Sequence, residues 1–371
     1  MKEKVGGEGV PEGFLALPGL VYADDPLWIP EDPVAVECAF SSSNPWFARG
    51  GRAQAFCLPG RARVAAFLEA GRLIDGSPAA FFGYWESIGD AASDAALFAR
   101  AEAWAREQGG LGLYGPINFT TYGSYRLRLE AEPGAVPFPG EPYNPVSYPQ
   151  RLEALGFHLC ETYLTQVSDA AGARVLCQGR RPALERLKAE GYCFQPLEPG
   201  TWLAHLPELH RLADGIFGGN FAYTPMSYAA FSESCGEAFI ARCCPETSVI
   251  AYGPEGDIAG LFLVYPHYGP LVVQGQGARR VSVGALRFDQ HWPELLEQGP
   301  PAAILKTVGV APPHRRKGLM EALTVFVLDR GERRYAQWLG ALIRQDNPSR
   351  RFGGDRVARE RWYGLYVKRL G

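Results

Sequence analysis

Val308-Gly-Val-Ala-Pro-Pro-His-Arg-Arg-Lys-Gly-Leu-Met320 joins an apolar run to a helical pattern, and the rest of the chain is read outward from this junction. Ile304 to Val310 is rich in β-branched residues and predicts a short strand. Pro312 and Pro313 end it. From Gly318 onward, Leu319, Leu323, Phe326 and Val327 recur at helical spacing. The turn between strand and helix therefore sets a run of backbone N–H groups, with Arg315, Arg316 and Lys317, at a helix N-terminus. Unpaired amides and the helix dipole both favour an anion there, and a pyrophosphate fits. The stretch is neither a P-loop nor a dinucleotide Gly-x-Gly-x-x-Gly turn. Its plain alternative is a basic helix start whose charges are simply solvated.

The flanks add three features in order. Ser248 to Tyr265 predicts a hairpin around Pro254-Glu-Gly-Asp257. Tyr335 to Arg344 predicts a strand after the helix. Gln345-Asp-Asn347-Pro-Ser follows it directly and, taken alone, is strong turn chemistry.

Hairpin, strand, basic helix start and further strand together resemble the core of the GNAT acyltransferases, whose motif reads strand, Val-x-Pro, Arg-x-x-Gly-x-small, helix. Arg315 and Gly318 match it, and Met320 stands where the motif has a small residue. The resemblance implies that the amides of Arg315, Arg316, Lys317, Gly318, Leu319 and Met320 hold the pyrophosphate of an acyl-CoA. It further implies that Val308, Gly309 and Val310 hold the pantetheine, and that Asn347 contacts the same arm. Many relatives carry a carboxylate base on the strand, where Leu305-Lys306-Thr307 offers none. Many place a tyrosine acid about seven residues after the asparagine, where this chain has Gly354. His267, His291 and Tyr363 are the candidates to replace them, each with an ordinary structural role as the alternative. Tyr366 and Glu86 are weighed in the same way. Glu86 would reach an interdomain cleft, or be a buried, paired carboxylate or an exposed strand end.

Length and composition set the frame. A chain of 371 residues, 47% hydrophobic and 21% charged, suits two globular α/β domains. Net charge −3 gives no reason to invoke nucleic acid. Cysteines at 38, 57, 160, 177, 193, 235, 243 and 244 form no Cys-x-x-Cys pair and no zinc spacing, so reduced thiols, a cytoplasmic location and no metal are expected. His205 and His210, five apart, do not share a helix face as ligands would. Gly13 to Tyr22 is too short for a membrane span and contains Pro18. Arg and Lys are concentrated in 314–317 and 349–369, where they would serve CoA phosphates or an acidic acceptor, or, over Arg356 to Arg369, form a solvated edge strand with alternating charges.

The first half repeats the pattern. Ala79 to Ser87 predicts a strand, Asp94 to Gln108 a helix ended by Gly109-Gly110, and Leu111 to Ile117 a strand. Its turn, Ile88-Gly-Asp-Ala-Ala-Ser-Asp94, is acidic and unsuited to a pyrophosphate. Tyr22 to Pro30, Asn44 to Phe47, Gly115 to Asn118, Pro142 to Tyr148 and Gly219 to Pro225 are similar to landmarks of bacterial tandem-GNAT proteins. That resemblance implies two GNAT-like domains in tandem, each a mixed sheet flanked by helices. A degenerate one would span 1–170 and an acyl-CoA-binding one 171–371. It implies acyl transfer, fatty acyl included, to an amine-bearing small molecule or a peptide side chain such as lysine or ornithine. An aminoacyl-tRNA-dependent transferase and a non-catalytic acyl-CoA sensor stay open. Phe217, Phe221, Tyr223, Tyr228 and Phe231 would either line an acyl pocket or pack a core.

Overall fold

The computed structural model describes residues 2–5, 9–275 and 280–371. The chain forms two compact units. One holds Met1–Thr162, Val273–Ala278 and Trp362–Gly371; the other holds Tyr163–Val272 and Arg279–Arg361. Each is an α/β unit built on a mixed sheet.

In the first unit the strands are β1 (Lys2–Val5), β2 (Gly51–Leu58), β3 (Ala62–Ile74), β4 (Ser77–Ser87), β5 (Gly112–Gly115) and β6 (Leu127–Arg128). Their order is β1-β2-β3-β4-β5, and the next place is taken by the last strand of the chain, called β13 below. Among the described residues β4 and β5 are the unit's parallel pair, which needs the crossover that a helix supplies. That helix, Ala91–Glu107, lays Leu97, Phe98, Ala101 and Ala105 against Val64, Ala66 and Phe82 of the sheet. It starts three residues before the predicted Asp94 because Asp90 caps it, its carboxylate accepting the Ala92 N–H at 3.2 Å.

The second unit contains the part of β7 (His158–Asp169) from Tyr163 onward, β8 (Cys193–Pro196), β9 (Val249–Tyr252), β10 (Ile258–Pro266), β11 (Ala302–Val310) and β12 (Gln337–Arg344), in the order β7-β12-β11-β10-β9-β8. Among the described residues β11 and β12 are its parallel pair, again across a helix, Leu319–Gly331. Leu319, Ala322, Leu323, Val325, Phe326 and Val327 are all buried on that helix, which explains a pattern apolar on more than one face. It packs between the sheet and the Ala170–Ala189 helix. The other sheet face carries the Pro199–Phe217 helix, whose Trp202, Leu206, Leu209 and Ala213 meet Ile250, Ile258, Leu261 and Leu263. Covered on both faces, β10 reads Ile-Ala-Gly-Leu-Phe-Leu-Val with no polar alternation.

β13 (Arg359–Arg369) departs from the expected solvated edge. Tyr363, Leu365 and Tyr366 are buried, and β13 pairs with β5 through Tyr366↔Gly115 to Arg369↔Gly112 and with β6 through Tyr363↔Arg128. Its charges sit at the two ends, while the middle, Trp-Tyr-Gly-Leu-Tyr-Val, is apolar. The eight cysteines form no disulfide; Cys57, Cys177, Cys243 and Cys244 are buried, and Cys38 and Cys193 are exposed. Among the described residues no helix is long and apolar enough to cross a membrane, and no cluster of side chains has the make-up of a metal site.

Candidate functional site

Two features of the second unit converge at the C-terminal end of β11. β11 and β12 pair from Ala302↔Gln337 only as far as Leu305↔Gly340. Beyond that point Thr307 to Val310 stay paired with β10 and, among the described residues, have no strand on their other side. Lys306 is the extra residue of a bulge, since Leu263 faces Thr307 and the adjacent Val264 faces Leu305. The parallel strands therefore separate and leave a backbone edge open.

At the end of that edge the chain turns. Ala311 N–H bonds Ala259 O at 2.9 Å, Pro312–His314 makes one tight turn, and the helix starts at Leu319. Arg316 (φ +63°) and Gly318 (φ +81°) both take left-handed backbone. Gly318 is the helix cap and offers no side chain to close it. Among the described residues the N–H groups of Arg316, Lys317, Gly318, Leu319, Met320 and Glu321 have no hydrogen-bond partner. These six unpaired amides, with Arg316 and Lys317 exposed beside them, form a donor-rich cradle of a kind that suits an anion, although a Cβ on Gly318 would also lie 3.1 Å from Glu321 Oε2. From the Ala170–Ala189 helix, Arg186 donates to Lys317 O at 2.6 Å and adds a third cation at the rim.

Arg315 does something else. Its guanidinium bonds Gly215 O, at the end of the Pro199–Phe217 helix, and Val310 O. It straps that helix to β11, where Gly309 has no room for a side chain: a Cβ there would lie 2.9 Å from Ile216 Cγ2. Val308 and Val310 flank Gly309 and are half-buried. Asn347 follows β12; its Oδ1 accepts Ser349 N–H at 2.9 Å and Ser349 Oγ–H at 2.7 Å, so it caps a turn while its amide N–H₂ remains available as a donor.

Within the second unit, two of the candidates for proton transfer, His267 and His291, lie toward the other end of the strands. His267 N–H bonds Ala302 O at 2.8 Å, which puts His267 at the opposite end of β11, eight strand steps from Val310 or roughly 26 Å. His291, 8% exposed, turns its Nδ1 onto Arg287 of its own helix, and its neighbour Trp292 packs on Tyr335, just before β12 begins. That is again the far end of the strands. Tyr363 belongs to the first unit, fully buried, with its hydroxyl bonded to Glu141. Tyr366 is a core residue of the same unit. His205 pairs with Tyr252 and Glu208, and His210 with Met226 O, as structural histidines do. Phe231 is core, with Phe217 packed against it, while Tyr228 is exposed and Tyr223 bonds Asp214.

The corresponding place in the first unit is closed. Past the last β4–β5 pair, Phe81↔Tyr114, Ile117 N–H bonds Phe82 O at 2.7 Å and Asn118 Oδ1 accepts Tyr84 N–H at 2.9 Å. A side chain on Gly83 would overlap Asn118. The helix N-terminus that follows is taken by Asp90, held well below the usual carboxylate range, to about 2, by Ser93 and Arg61. One unit thus leaves its strand edge and helix start open, and the other fills both with its own side chains.

The sheet order, one parallel pair per unit and the open strand edge decide the fold. The chain shares the fold of a solved protein described as a probable N-acyltransferase. A conserved protein of Enterococcus faecalis V583, described as a probable N-acyltransferase, superposes with a TM-score of 0.51 at 10% identity, over 100% of this chain and 73% of that one. A tandem GNAT protein from the clavulanic acid biosynthesis pathway gives 0.49 at 14% identity, over 100% and 99%. In sequence, Protein YghO of Escherichia coli K12 is 30% identical over 160 residues, which is 40% of this chain and 38% of YghO. No family model matches.

Two parts of this unit were not read from the sequence. One is the engagement of Arg315 with a helix end, which needs the tertiary placement of Gly215. The other is His314, buried beneath the cradle; its position between Pro-Pro and Arg-Arg was the only local signal.

Proposed function

We propose that the second unit binds acyl-CoA and passes its acyl group to an amine. The observation that carries this is the run of six unpaired amides, Arg316 to Glu321, at the point where β11 and β12 part. The cradle takes the pyrophosphate, and the open edge from Thr307 to Val310 takes the amide groups of the pantetheine as a strand would. Asn347 offers a further donor to the same arm. The neutral amine attacks the thioester carbonyl, a C–N bond forms, and the C–S bond breaks with the pair leaving on sulfur. The amine's proton is lost, and the thiolate leaves as the thiol. Backbone N–H groups of the open edge would stabilise the oxyanion. The acceptor we favour is a primary amine of a small molecule or peptide, with fatty acyl donors included, in the cytoplasm where eight unpaired thiols persist. The closed edge and capped helix of the first unit support its reading as a copy that no longer binds CoA.

A second reading, a non-catalytic acyl-CoA sensor, is favoured by one observation: β11 carries no carboxylate, and His267 and His291 lie at its far end. Calorimetric titration with CoA, acetyl-CoA and a long-chain acyl-CoA tests binding first. Affinity rising with chain length supports a fatty acyl donor. Gly318→Asp puts a carboxylate into the cradle and should weaken CoA at least about a hundredfold, since a like charge there costs several kcal/mol. Unchanged affinity in that variant sinks the assignment. Product formation from acyl-CoA and a panel of amines then separates enzyme from sensor.

A further inference from the structure

His314 is held on both ring nitrogens beneath the anion cradle. Nε2 meets Asp257 Oδ2 at 2.7 Å, and Nδ1 meets Tyr192 Oη at 3.0 Å. The three residues come from separate elements: the turn after β11, the β9–β10 hairpin, and the turn before β8. The ring is 6% exposed and stands edge-on to Tyr192, with centroids 5.6 Å apart at 85°. It sits over Gly253, where a Cβ would come 2.7 Å from His314 Cε1. The socket is therefore built for this ring, by a residue without a side chain and by two polar partners.

Two residues further on, Arg316 takes left-handed backbone at φ +63°. Such a conformation is unfavourable for a non-glycine residue and persists only where its surroundings impose it. On the C-terminal side the constraint is the Leu319–Gly331 helix, with Arg186 holding Lys317 O. On the N-terminal side two side chains hold the turn, Arg315 on the carbonyls of Gly215 and Val310 and the buried His314 in its socket. Released from its socket, the turn could relax at Arg316, and the amides of Arg316 and Lys317 would rotate away from a common focus.

We propose that His314, through Asp257 and Tyr192, is a positioning residue that holds the anion-binding turn in its receptive shape, so that these three side chains set the affinity for the pyrophosphate part of CoA and not for its pantetheine arm. This rests on the acyl-CoA reading above and adds to it a residue set that makes no contact with the ligand.

The test is a pair of titrations on the full-length protein, one with CoA and one with pantetheine, which lacks the pyrophosphate. The second is followed by saturation-transfer NMR at millimolar ligand. His314→Phe fills the socket without its hydrogen bonds. It should weaken CoA roughly tenfold or more while pantetheine changes less than about twofold. Asp257→Asn lies on a half-exposed turn and keeps a hydrogen-bonding side chain, so it serves if the first variant does not fold. It should weaken CoA about threefold, again with pantetheine unchanged. A general structural role would lower both affinities together, and that result overturns the proposal. So does unchanged CoA affinity in a folded His314→Phe protein whose wild type binds CoA. A wild type that binds no CoA would instead remove the acyl-CoA reading, and this proposal with it.

Discussion

Glu86, near the end of β4, accepts the hydroxyls of Tyr148 at 2.8 Å and Tyr22 at 3.0 Å and has no cation among its hydrogen-bond partners. Tyr148 in turn accepts the Ser87 N–H at 2.8 Å, so its own proton is directed to the carboxylate. Burial pushes the carboxyl up to about 7, against the pull of Arg63 and the two phenols. The sign follows from linkage. A carboxyl raised in the folded state takes its proton more readily there than in the unfolded chain, so its contribution to stability is full below about pH 4.5 and is lost as pH rises to about 7. Glu86→Gln keeps an acceptor for both phenols and removes the charge. It should flatten this part of the profile and raise stability above pH 7 by on the order of 1–3 kcal/mol. Urea midpoints of both proteins at pH 5 and pH 8 check it; a wild type whose midpoint does not fall between them, relative to the variant, refutes it. The sequence left this residue between a cleft and a buried pair. The structure pairs it with phenols from residues 22 and 148, and their separation along the chain is why no local pattern showed them.

At the scale of elements, the strand–helix–strand pattern of both halves was legible because it depends on local chemistry. Prolines ended β11, Gly318 marked the helix start, and apolar residues recurred at helical spacing. The difference between the two turns was half legible. The acidity of Ile88 to Asp94 pointed to a poor anion site, but the capping role of Asp90 and the closure by Asn118 depend on which residues the fold brings together. Packing overrides propensity in the same way at Gly331. This glycine ends the Leu319–Gly331 helix, where alanine would gain up to about 1 kcal/mol from helix propensity. A Cβ there would overlap the indole of Trp338, which is 3% exposed and packed edge-on against Tyr335. Overpacking against a rigid ring costs about 1–3 kcal/mol, so Gly331→Ala should destabilise the second unit despite its better propensity. Thermal unfolding followed at the tryptophan signal decides the matter: a raised midpoint would show that the ring yields.

For the whole molecule, the strands that complete the two sheets do not follow the order of the sequence. β7 leaves the first unit at Thr162 and contributes its second half to the second unit, pairing Asp169↔Gln337 to Tyr163↔Arg344 with β12. β13 does the reverse, leaving the second unit at Arg361 and closing the first against β5 and β6. A contiguous division at 170 follows the repeat in the sequence, whereas each sheet draws on chain from both sides of that point. Residues 1–170 alone would lack Tyr363, Leu365, Tyr366 and Leu370, all at most 3% exposed. Each buried side chain of this kind contributes about 1.5–3 kcal/mol, so their loss rivals the whole stability of a domain. The ties Lys368–Glu102 at 2.6 Å and Arg106–Leu370 O at 2.7 Å would go too, and β5 would present an open edge of unpaired backbone groups. The fragment 1–170 should therefore be aggregation-prone or poorly folded, with broad amide signals in its NMR spectrum. Adding a peptide of residues 359–371 should sharpen them, because the missing strand supplies both the pairing and the buried side chains. A fragment that folds cooperatively without the peptide would show that β13 is dispensable to the first unit, and the two halves would then be separable domains rather than units completed by an exchanged strand.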